Sequence, residues 1–351
     1  MIDQEQPSNS NTAPAASMTV LDVGHGNCCI ISSINGEHVI VVDTGPGVGV
    51  LEYLLQEGID RVNSVVLSHA DADHISGLIS LLNTGTFQID EVIANSDALK
   101  RSEKWSDLAW TLDRLKRAGA LSSVDGLQEG DVVATQIDGV KIRVLAPRIG
   151  LVLTGPGARD PKGRLISSNS TSAVLLIEFG DRRVALLTGD LDQLGFEYLI
   201  ESGQDLRADI LVFPHHGGLS GSSIASTAAL AEELARVVTP TDIVFSMDRR
   251  KFGNPRGEVV AAVMRGAPGA RIACTELAEA CAAELSDEES VHLLPLFASG
   301  FARRSCCAGT MRFLFIEDAV LEPGCDAHRR FVERYAGTAL CLARTKQAVA
   351  L

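Results

Sequence analysis

The sequence predicts an α/β protein with mixed sheets, and three observations support this prediction. Short apolar runs rich in β-branched residues alternate with segments of helical periodicity along most of the chain. Some of these runs follow each other directly through Gly-containing turns, which is typical of hairpins and adds antiparallel pairs to a sheet. Hydrophobic residues make up 46% and charged residues 22% of the 351 residues, a composition that supports a sizeable core.

The elements can be read in chain order. Predicted strands are apolar runs bounded by Gly or polar turn residues: Met18–Val23, Cys28–Ser32, His38–Val42, Ser64–Leu67, Glu91–Ala94, Val132–Gln136, Lys141–Leu145, Ala173–Phe179, Arg183–Thr188, Ile210–Phe213, Asp242–Phe245, Arg271–Cys274 and Met311–Ile316. Predicted helices have apolar residues three or four positions apart: Val50–Glu57, Ile75–Leu82, Lys104–Ala118, Gln193–Glu201, Ile224–Arg236, Glu258–Arg265 and His328–Tyr335. Residues 154–170, dense in Gly, Pro, Ser and charge, are a predicted loop.

Composition divides the chain into three predicted parts. Residues 1–17 form a polar, disordered leader without the basic and then apolar pattern of a signal peptide. Residues 18–275 form the main domain, and residues 276–351 form a C-terminal extension packed on it. No apolar stretch is long enough to span a membrane, so a cytoplasmic location is the default expectation. The net charge of −14 argues against a protein that coats nucleic acid, but not against an enzyme with a local basic site.

The strongest chemical signal is the segment Ser68-His69-Ala70-Asp71-Ala72-Asp73-His74, directly after a predicted buried strand. It contains four imidazole or carboxylate side chains, which are the ligands that hydrolytic metal ions take. The alternative is a polar turn whose carboxylates cap the next helix. Capping needs one carboxylate and no histidine, so the pattern favours a metal site.

Three other predicted strands also end in such groups. Asp43 follows one strand, Asp190 follows another in Thr188-Gly189-Asp190, and His215 and His216 follow a third. One ending of this kind is common by chance. Four in one chain indicate ligands that converge on a single place.

Taken together, these motifs resemble a known family. His-x-Asp-x-Asp-His at 69–74, Asp22-Val23-Gly24-His25-Gly26 and Pro214-His215-His216-Gly217 resemble the metallo-β-lactamase superfamily, and within it the soluble domain of the ComEC-like DNA-uptake proteins. The resemblance covers roughly residues 18–275. It implies a metallo-β-lactamase αββα sandwich with mixed sheets, here as a stand-alone soluble hydrolase plus a C-terminal extension.

The resemblance also implies ligands for two divalent ions, Zn²⁺ or Mn²⁺. In addition to binding metal, Asp73 would orient the attacking hydroxide. Asp71 stands where the superfamily has histidine, and its carboxylate favours Mn²⁺. Asp43 would orient the histidine-rich loop. Asn169 lies near the position where the superfamily has the histidine of its third motif, which this sequence lacks. The implied ligands are His69 and Asp71 for the first ion, Asp73, His74 and His215 for the second, and Asp190 for both.

Such a pair of ions would lower the pKa of a bridging water and polarise the attacked centre. His216 would act as general acid, or would instead lie hydrogen-bonded behind His215. The basic segment 247–256 predicts phosphate binding, although a solvated basic turn is the alternative. The residues expected to contact substrate are His25, Arg249, Arg250, Lys251, Asn254 and Ser220.

The predicted function is therefore that of a metal-dependent phosphodiesterase or nuclease acting on a nucleic acid or nucleotide, with no membrane partner. A hydrolase of carboxylic esters, lactones or thioesters on the same fold, and a catalytically silent binding module, remain as alternatives.

The chain has eight Cys, most of them in the last quarter without a C-x₂-C pair. We therefore expect buried or incidental thiols there rather than a second metal site. Oligomeric state, native metal and pathway are not fixed by the sequence.

Overall fold

The computed structural model describes residues 15–97, 99–285, 291–316 and 319–342. Most of the predicted leader lies outside the described residues, and Ser17 already belongs to the first strand. The strands are β1 Ser17–Val20, β2 Cys29–Ser32, β3 Val39–Val42, β4 Arg61–Leu67, β5 Gln88–Ala94, β6 Ser123–Asp125, β7 Val132–Ile137, β8 Val140–Ala146, β9 Val174–Phe179, β10 Arg182–Leu187, β11 Ile210–Val212, β12 Asp242–Phe245, β13 Arg271–Cys274, β14 Met311–Ile316 and β15 Ala319–Leu321. The helices are α1 Gly49–Gln56, α2 Ala72–Thr84, α3 Glu103–Arg117, α4 Ile149–Thr154, α5 Gln193–Glu201, α6 Ile224–Val238, α7 Gly257–Gly266 and α8 Cys325–Tyr335.

Two mixed sheets form the centre of the molecule. The first has the order β15-β14-β1-β2-β3-β4-β5-β6, and the second has the order β13-β12-β11-β10-β9-β8-β7. Strands β3 to β6 are parallel to one another, as are β10 to β13, whereas the remaining pairs are antiparallel. The predicted α/β class and the mixed sheets are confirmed.

The cores follow from this layered arrangement. One cluster lies between the sheets and includes Val42, Val66 and Val212. A second joins the first sheet to α1, α2 and α3, and a third joins the second sheet to α5, α6 and α7. All four residues of β3 are buried because the strand has side chains facing both layers, which explains its unbroken β-branched run.

The C-terminal extension contributes to the sheet itself. Strand β14 pairs antiparallel with β1, with Phe313 opposite Met18, so residues from the two ends of the described chain form neighbouring strands. Helix α8 buries His328 and Val332, and Val332 packs into the third cluster, the one between the second sheet and its helices. Backbone hydrogen bonds therefore join the described part of this C-terminal segment to the first sheet.

The functional residues lie where parallel strands end. The carboxyl ends of parallel strands meet at one edge of a sheet, which is where open α/β sheets bind ligands. Asp43 follows β3 and His69 stands two residues after β4. Asp190 and His215 stand three residues after β10 and β11 of the other sheet. The sandwich thereby brings two groups of polar side chains face to face.

Several boundaries differ from the predictions. Helix α2 begins at Ala72 rather than Ile75, so Asp73 and His74 lie in its first turn. The short elements β6, α4 and β15 were not predicted, because three to six residues carry too little periodicity. Within the part of the chain that the structure describes, no helix has the length and apolar character to cross a membrane.

The eight cysteines are all free thiols. Cys274, Cys281, Cys307 and Cys341 line one small apolar cavity under α8, and Cys307 Sγ lies 3.2 Å from His328 Nε2. Among the described residues, no three cysteine or histidine ligand atoms of this region come within 4.8 Å of one another. Six of the eight thiols are buried, and those of Cys325 and Cys341 are partly exposed.

The buried His328 makes stability depend on pH. Burial first, then the charge of Arg271 and the neighbouring His292, lower its pKa to about 3. The folded protein therefore keeps this ring neutral, whereas the unfolded chain protonates it near its ordinary pKa of 6.5. The stabilising contribution is complete above pH 6.5 and is lost as the pH falls towards 3. Between pH 7.5 and 5.0 the loss should be about 2 kcal/mol.

We therefore expect His328→Leu to unfold with a shallower pH dependence than the wild type. Urea unfolding of both chelator-treated proteins at pH 7.5 and 5.0 measures the difference. The wild type should lose about 2 kcal/mol more than the variant over this interval. Equal losses in the two proteins would show that His328 titrates normally in the folded state.

Candidate metal centre

The site is organised around the carboxylate of Asp43, which is 2% exposed. Asp43 has a φ of 55°, a left-handed conformation that aspartate adopts more readily than most residues. Its Oδ1 accepts a hydrogen bond from the Ser68 backbone N–H at 2.7 Å. Its Oδ2 accepts from Ser68 Oγ and from His74 Nδ1, both at 2.7 Å. One carboxylate thus ties the end of β3 to the end of β4 and to α2.

Two glycines allow the backbone segments to approach this closely. A Cβ at Gly77 would stand 2.1 Å from the Thr44 carbonyl oxygen, so α2 can rest on the turn after β3 only with glycine there. A Cβ at Gly26 would stand 2.3 Å from the Asp73 carbonyl oxygen. These contacts hold the first turn of α2 between two loops, and so fix Asp73 and His74.

Three buried histidines present unpartnered nitrogen atoms to the same cavity. The Nε2 atoms of His69, His74 and His216 are buried and have no hydrogen-bond partner. Their Nδ1 atoms are all engaged. His69 Nδ1 lies 3.0 Å from Ser68 Oγ, His74 Nδ1 donates to Asp43, and His216 Nδ1 donates to the Ser246 carbonyl at 2.8 Å.

This pattern is the one by which proteins prepare histidine for a metal ion. An Nδ1–H held by an oxygen fixes the tautomer and leaves the Nε2 lone pair free to coordinate. An unpartnered buried nitrogen is otherwise costly. The donor set of imidazoles and carboxylates also suits divalent hydrolytic metals, so the residues fit such an ion.

The carboxylates complete two groups of ligand atoms. His69, His74 and Asp190 form one, with ligand atoms within 4.8 Å of one another and His74 Nε2 3.4 Å from Asp190 Oδ1. His25, Asp73 and His216 form the other, also within 4.8 Å. In this second group, Asp73 Oδ2 lies 3.3 Å from His25 Nε2 and 3.4 Å from His216 Nε2. His216 Nε2 also lies 3.7 Å from Asp190 Oδ1, so the groups adjoin.

The backbone at His215 and His216 explains why these neighbours point differently. Both have positive φ, 52° and 55°, a conformation that costs energy for residues other than glycine. The His215 N–H donates to Asp190 Oδ1 at 3.2 Å, and Asn254 Nδ2 donates to the His215 carbonyl at 3.4 Å. His215 Nδ1 lies 3.4 Å from Asp190 Oδ2, while its Nε2 lies 3.5 Å from the side-chain amide of Asn169.

The electrostatic environment keeps the imidazoles of His25 and His69 neutral and the carboxylate of Asp190 ionised. Burial, followed by His216 and Lys251, lowers the pKa of His25 to about 4. Burial and the adjacent His74 hold the pKa of His69 well below its usual value. Burial alone would raise the pKa of Asp190, but the surrounding histidines outweigh it and hold that pKa low.

Asp73 and His74 show the same competition. Burial would raise the pKa of Asp73, but its contact with His216 and the nearby His74 lower it. Burial would lower the pKa of His74, but Asp43 and Asp190 raise it. Coordination at Nε2 releases such a proton, which couples metal binding to pH.

Asp71 behaves differently from the other predicted ligands. It stands at the position before α2, but its side chain makes no capping hydrogen bond, so the capping alternative does not describe it. Its Oδ1 forms an ion pair with Lys100 Nζ and lies 3.6 Å from His69 Nε2. Lys100 was missed by sequence reasoning, because a lysine 29 positions away carries no motif signal.

The predicted substrate-binding residues divide into two sets. Arg249 is buried and donates to the carbonyls of Leu277, Ala282 and Ala283, so its guanidinium holds the extension rather than facing substrate. Asn254 is also buried, behind His215. Arg250 and Lys251 are exposed, and the charge of Lys251 acts on His25.

A cleft of about 380 Å³ opens beside His215 and Asn169. Ser220 lines it, and its buried Oγ has no partner. The other lining residues are Arg164, Leu165, Asp192, Gln193, Leu194, Glu197, Leu219, Gly221 and Ser222. A larger cavity of about 630 Å³ lies beside α8. Neither cavity is lined by a residue of the two ligand groups, but the smaller cleft adjoins them through His215, whose Nδ1 lies 3.4 Å from Asp190 Oδ2. Position next to unpartnered ligands, rather than volume, therefore identifies the site.

Comparisons with known proteins agree with this geometry. ComE operon protein 3 of Bacillus subtilis (strain 168) is 23% identical over 266 residues, which is 70% of this chain and 30% of that protein. Competence protein ComA of Neisseria gonorrhoeae is 28% identical over 225 residues, 63% of this chain and 26% of that protein. The chain thus spans less than a third of the length of these relatives. The predicted resemblance to competence proteins is confirmed.

Among solved structures, the metallo-beta-lactamase fold protein YhfI from Bacillus subtilis aligns with a TM-score of 0.45 and 13% identity, covering 73% of this chain and 96% of that one. The profile of the metallo-beta-lactamase superfamily matches residues 21–241, which is more than half of the chain and includes both ligand groups. On this match, the chain belongs to the metallo-beta-lactamase superfamily.

Proposed function

We propose that the chain is a phosphodiesterase or nuclease that uses two divalent metal ions. The proposed ligands are His69, His74 and Asp190 for one ion, and His25, Asp73 and His216 for the other. The unpartnered Nε2 atoms and the two ligand groups support this assignment. When bound, such ions supply Lewis-acid activation of water and of the attacked centre.

This proposal revises the ligand set expected from the sequence at three residues. His216 replaces His215, because its Nε2 lies 3.4 Å from Asp73 and its Nδ1 is held by a carbonyl. His25 joins as a ligand rather than as a substrate contact. Asp71 is paired with Lys100, and so it is a weaker candidate than in the sequence-based assignment.

His215 then becomes the candidate proton donor in place of His216. Its side chain is 15% exposed, whereas that of His216 is 3% exposed. It lines the open cleft together with Asn169, whose amide orients its Nε2. A general acid must reach the leaving oxygen, and an imidazole at the wall of the cleft meets that requirement.

The placement of two lysines carries the preference for a phosphodiester. Lys100 pairs with Asp71, whose Oδ1 lies 3.6 Å from His69 Nε2, and Lys251 acts electrostatically on His25. Both are partly or fully exposed, in a protein of net charge −14. Cations beside a hydrolytic centre attract a phosphate anion and stabilise the charge that develops on it. A neutral ester would gain little from either lysine.

The ligand assignment predicts which histidine the metal requires. His74→Ala and His216→Ala should each weaken the binding of Mn²⁺ or Zn²⁺ by more than about 100-fold, because loss of an outer hydrogen-bond partner alone commonly costs 10–100-fold. His215→Ala should retain its metal. Calorimetric titration of chelator-stripped proteins measures the affinities, with Asp181→Asn in an exposed turn as the matched control. Metal loss in His215→Ala but not in His216→Ala would favour the sequence-based assignment instead.

The substrate proposal predicts cleavage of bis-p-nitrophenyl phosphate in the presence of Mn²⁺ or Zn²⁺. The double variant Asp73→Ala, His74→Ala should lose this activity by at least about 100-fold, whereas Asp181→Asn should keep it. A generic p-nitrophenyl ester is assayed in parallel. Cleavage of the ester alone, also lost in the double variant, would move the function to the esterase or lactonase class. No metal-dependent turnover of either compound would favour a silent binding module.

A further inference from the structure

An exposed aromatic ring stands at the edge of the metal centre. Phe252 lies in the loop after β12 and is 72% exposed. Its φ is 59°, a left-handed conformation that is strained for a bulky side chain. Its ring centroid lies 4.9 Å from that of His25. The left-handed backbone therefore costs conformational energy, and it leaves a large apolar ring in solvent. Strained backbone of this kind is concentrated at functional sites.

Exposure alone would not single out this residue. Trp110 and Leu153 are about as exposed, at 71% and 79%, and scattered exposed hydrophobic residues are ordinary. Phe252 differs in its position, since its ring contacts His25, whose own ring lies 4.4 Å from that of His216. Only one side chain separates the phenyl ring from the carboxylate of Asp73.

Two cationic residues directly precede Phe252 in the chain. Lys251 precedes it, is exposed, and acts electrostatically on His25. Arg250, two residues before the ring, is also exposed, and its backbone N–H donates to Asp248. A flat apolar face beside positive charges is the combination with which proteins bind unpaired nucleotides, because bases stack on the ring and phosphates meet the cations.

We propose that Phe252 is a stacking platform for an unpaired nucleobase attached to the scissile phosphate, with Lys251 meeting the neighbouring phosphate. This inference rests on the proposed phosphodiesterase function and narrows its substrate to nucleotide phosphodiesters whose bases are not paired. A base inside a duplex has no free face for the ring. A simple alkyl phosphodiester would not use the platform.

Two substrates with the same leaving group test the proposal. Thymidine 5′-p-nitrophenyl phosphate carries a base, and methyl p-nitrophenyl phosphate does not. Phe252→Ala should lower kcat/KM for the thymidine compound by about 10–100-fold, mostly through KM, because stacking on one aromatic ring contributes on this scale. The methyl compound should be cleaved as by the wild type. Phe252→Trp should restore the preference, and Phe252→Gly should behave like the alanine variant.

Trp110→Ala serves as the matched control, since Trp110 is equally exposed but belongs to α3. Binding is followed separately through quenching of a 2-aminopurine dinucleotide by the non-cleaving variant Asp73→Ala, His74→Ala, with and without Phe252→Ala. Competition by oligothymidylate, by the same strand in a duplex and by a cyclic mononucleotide shows which source of unpaired base binds. The single strand or the mononucleotide should compete, and the duplex should not.

The outcomes separate the two proposals. Equal loss for both substrates, or none for either, together with unchanged quenching, would overturn the stacking role while leaving the phosphodiesterase proposal intact. Stronger competition by the duplex would also overturn it. A wild type that cleaves neither phosphodiester would contradict the proposed function itself, whatever Phe252 does.

Discussion

The hydrogen bonds of the Asp43 carboxylate hold the rest of the site in place. This buried group accepts from the backbone and the hydroxyl of Ser68 and from His74 Nδ1. Because both oxygens are fully engaged, the ends of β3 and β4 and the first turn of α2 cannot move independently. The same interaction turns His74 Nε2 towards Asp190, so Asp43 sets the orientation of this candidate ligand through its opposite ring nitrogen.

The second sheet contributes the residues on the opposite side of the site, and their orientation is fixed by backbone conformation. Here the backbone of His215 and His216 is held in a left-handed conformation, with Asp190 and Asn254 hydrogen-bonding around it. Both imidazoles lie near Asp190, but only that of His216 also approaches Asp73, whereas that of His215 lines the open cleft. A site built this way keeps its histidines unpartnered at a cost in stability, and cation binding would offset that cost.

Charge is distributed unevenly around the centre, and this distribution bears on substrate. The chain is strongly acidic as a whole, and the cleft beside His215 includes the carboxylates of Asp192 and Glu197. Lys100 and Lys251 instead stand next to the ligand groups themselves. In the function proposed above, these two lysines would attract a short anionic substrate, whereas the acidic remainder of the surface would contribute little to the binding of a polyanion.

Local sequence was enough to single out His69, Asp73 and His74 as candidate ligands, because they lie on one short segment between a strand and a helix. It assigned His215 as a ligand and His216 as general acid, whereas we propose the reverse. The orientation of these two side chains depends on two positive φ angles, which no composition reveals. It also placed Arg249 at the substrate, although distant carbonyls of the extension hold that guanidinium.

The extension was expected to pack on the domain, and its strand β14 in fact pairs with β1. Pairings across nearly 300 residues depend on tertiary contacts that periodicity alone does not encode.

The central claim is that unpartnered Nε2 atoms of His69, His74 and His216 coordinate divalent metal together with Asp190 and Asp73. Anomalous diffraction from crystals grown with Mn²⁺ or Zn²⁺, recorded on both sides of the absorption edge, tests it most directly. The account predicts peaks about 2.0–2.2 Å from these nitrogen and oxygen atoms. Peaks coordinated by His215 rather than His216, or no peak at the cluster at saturating metal, would contradict it.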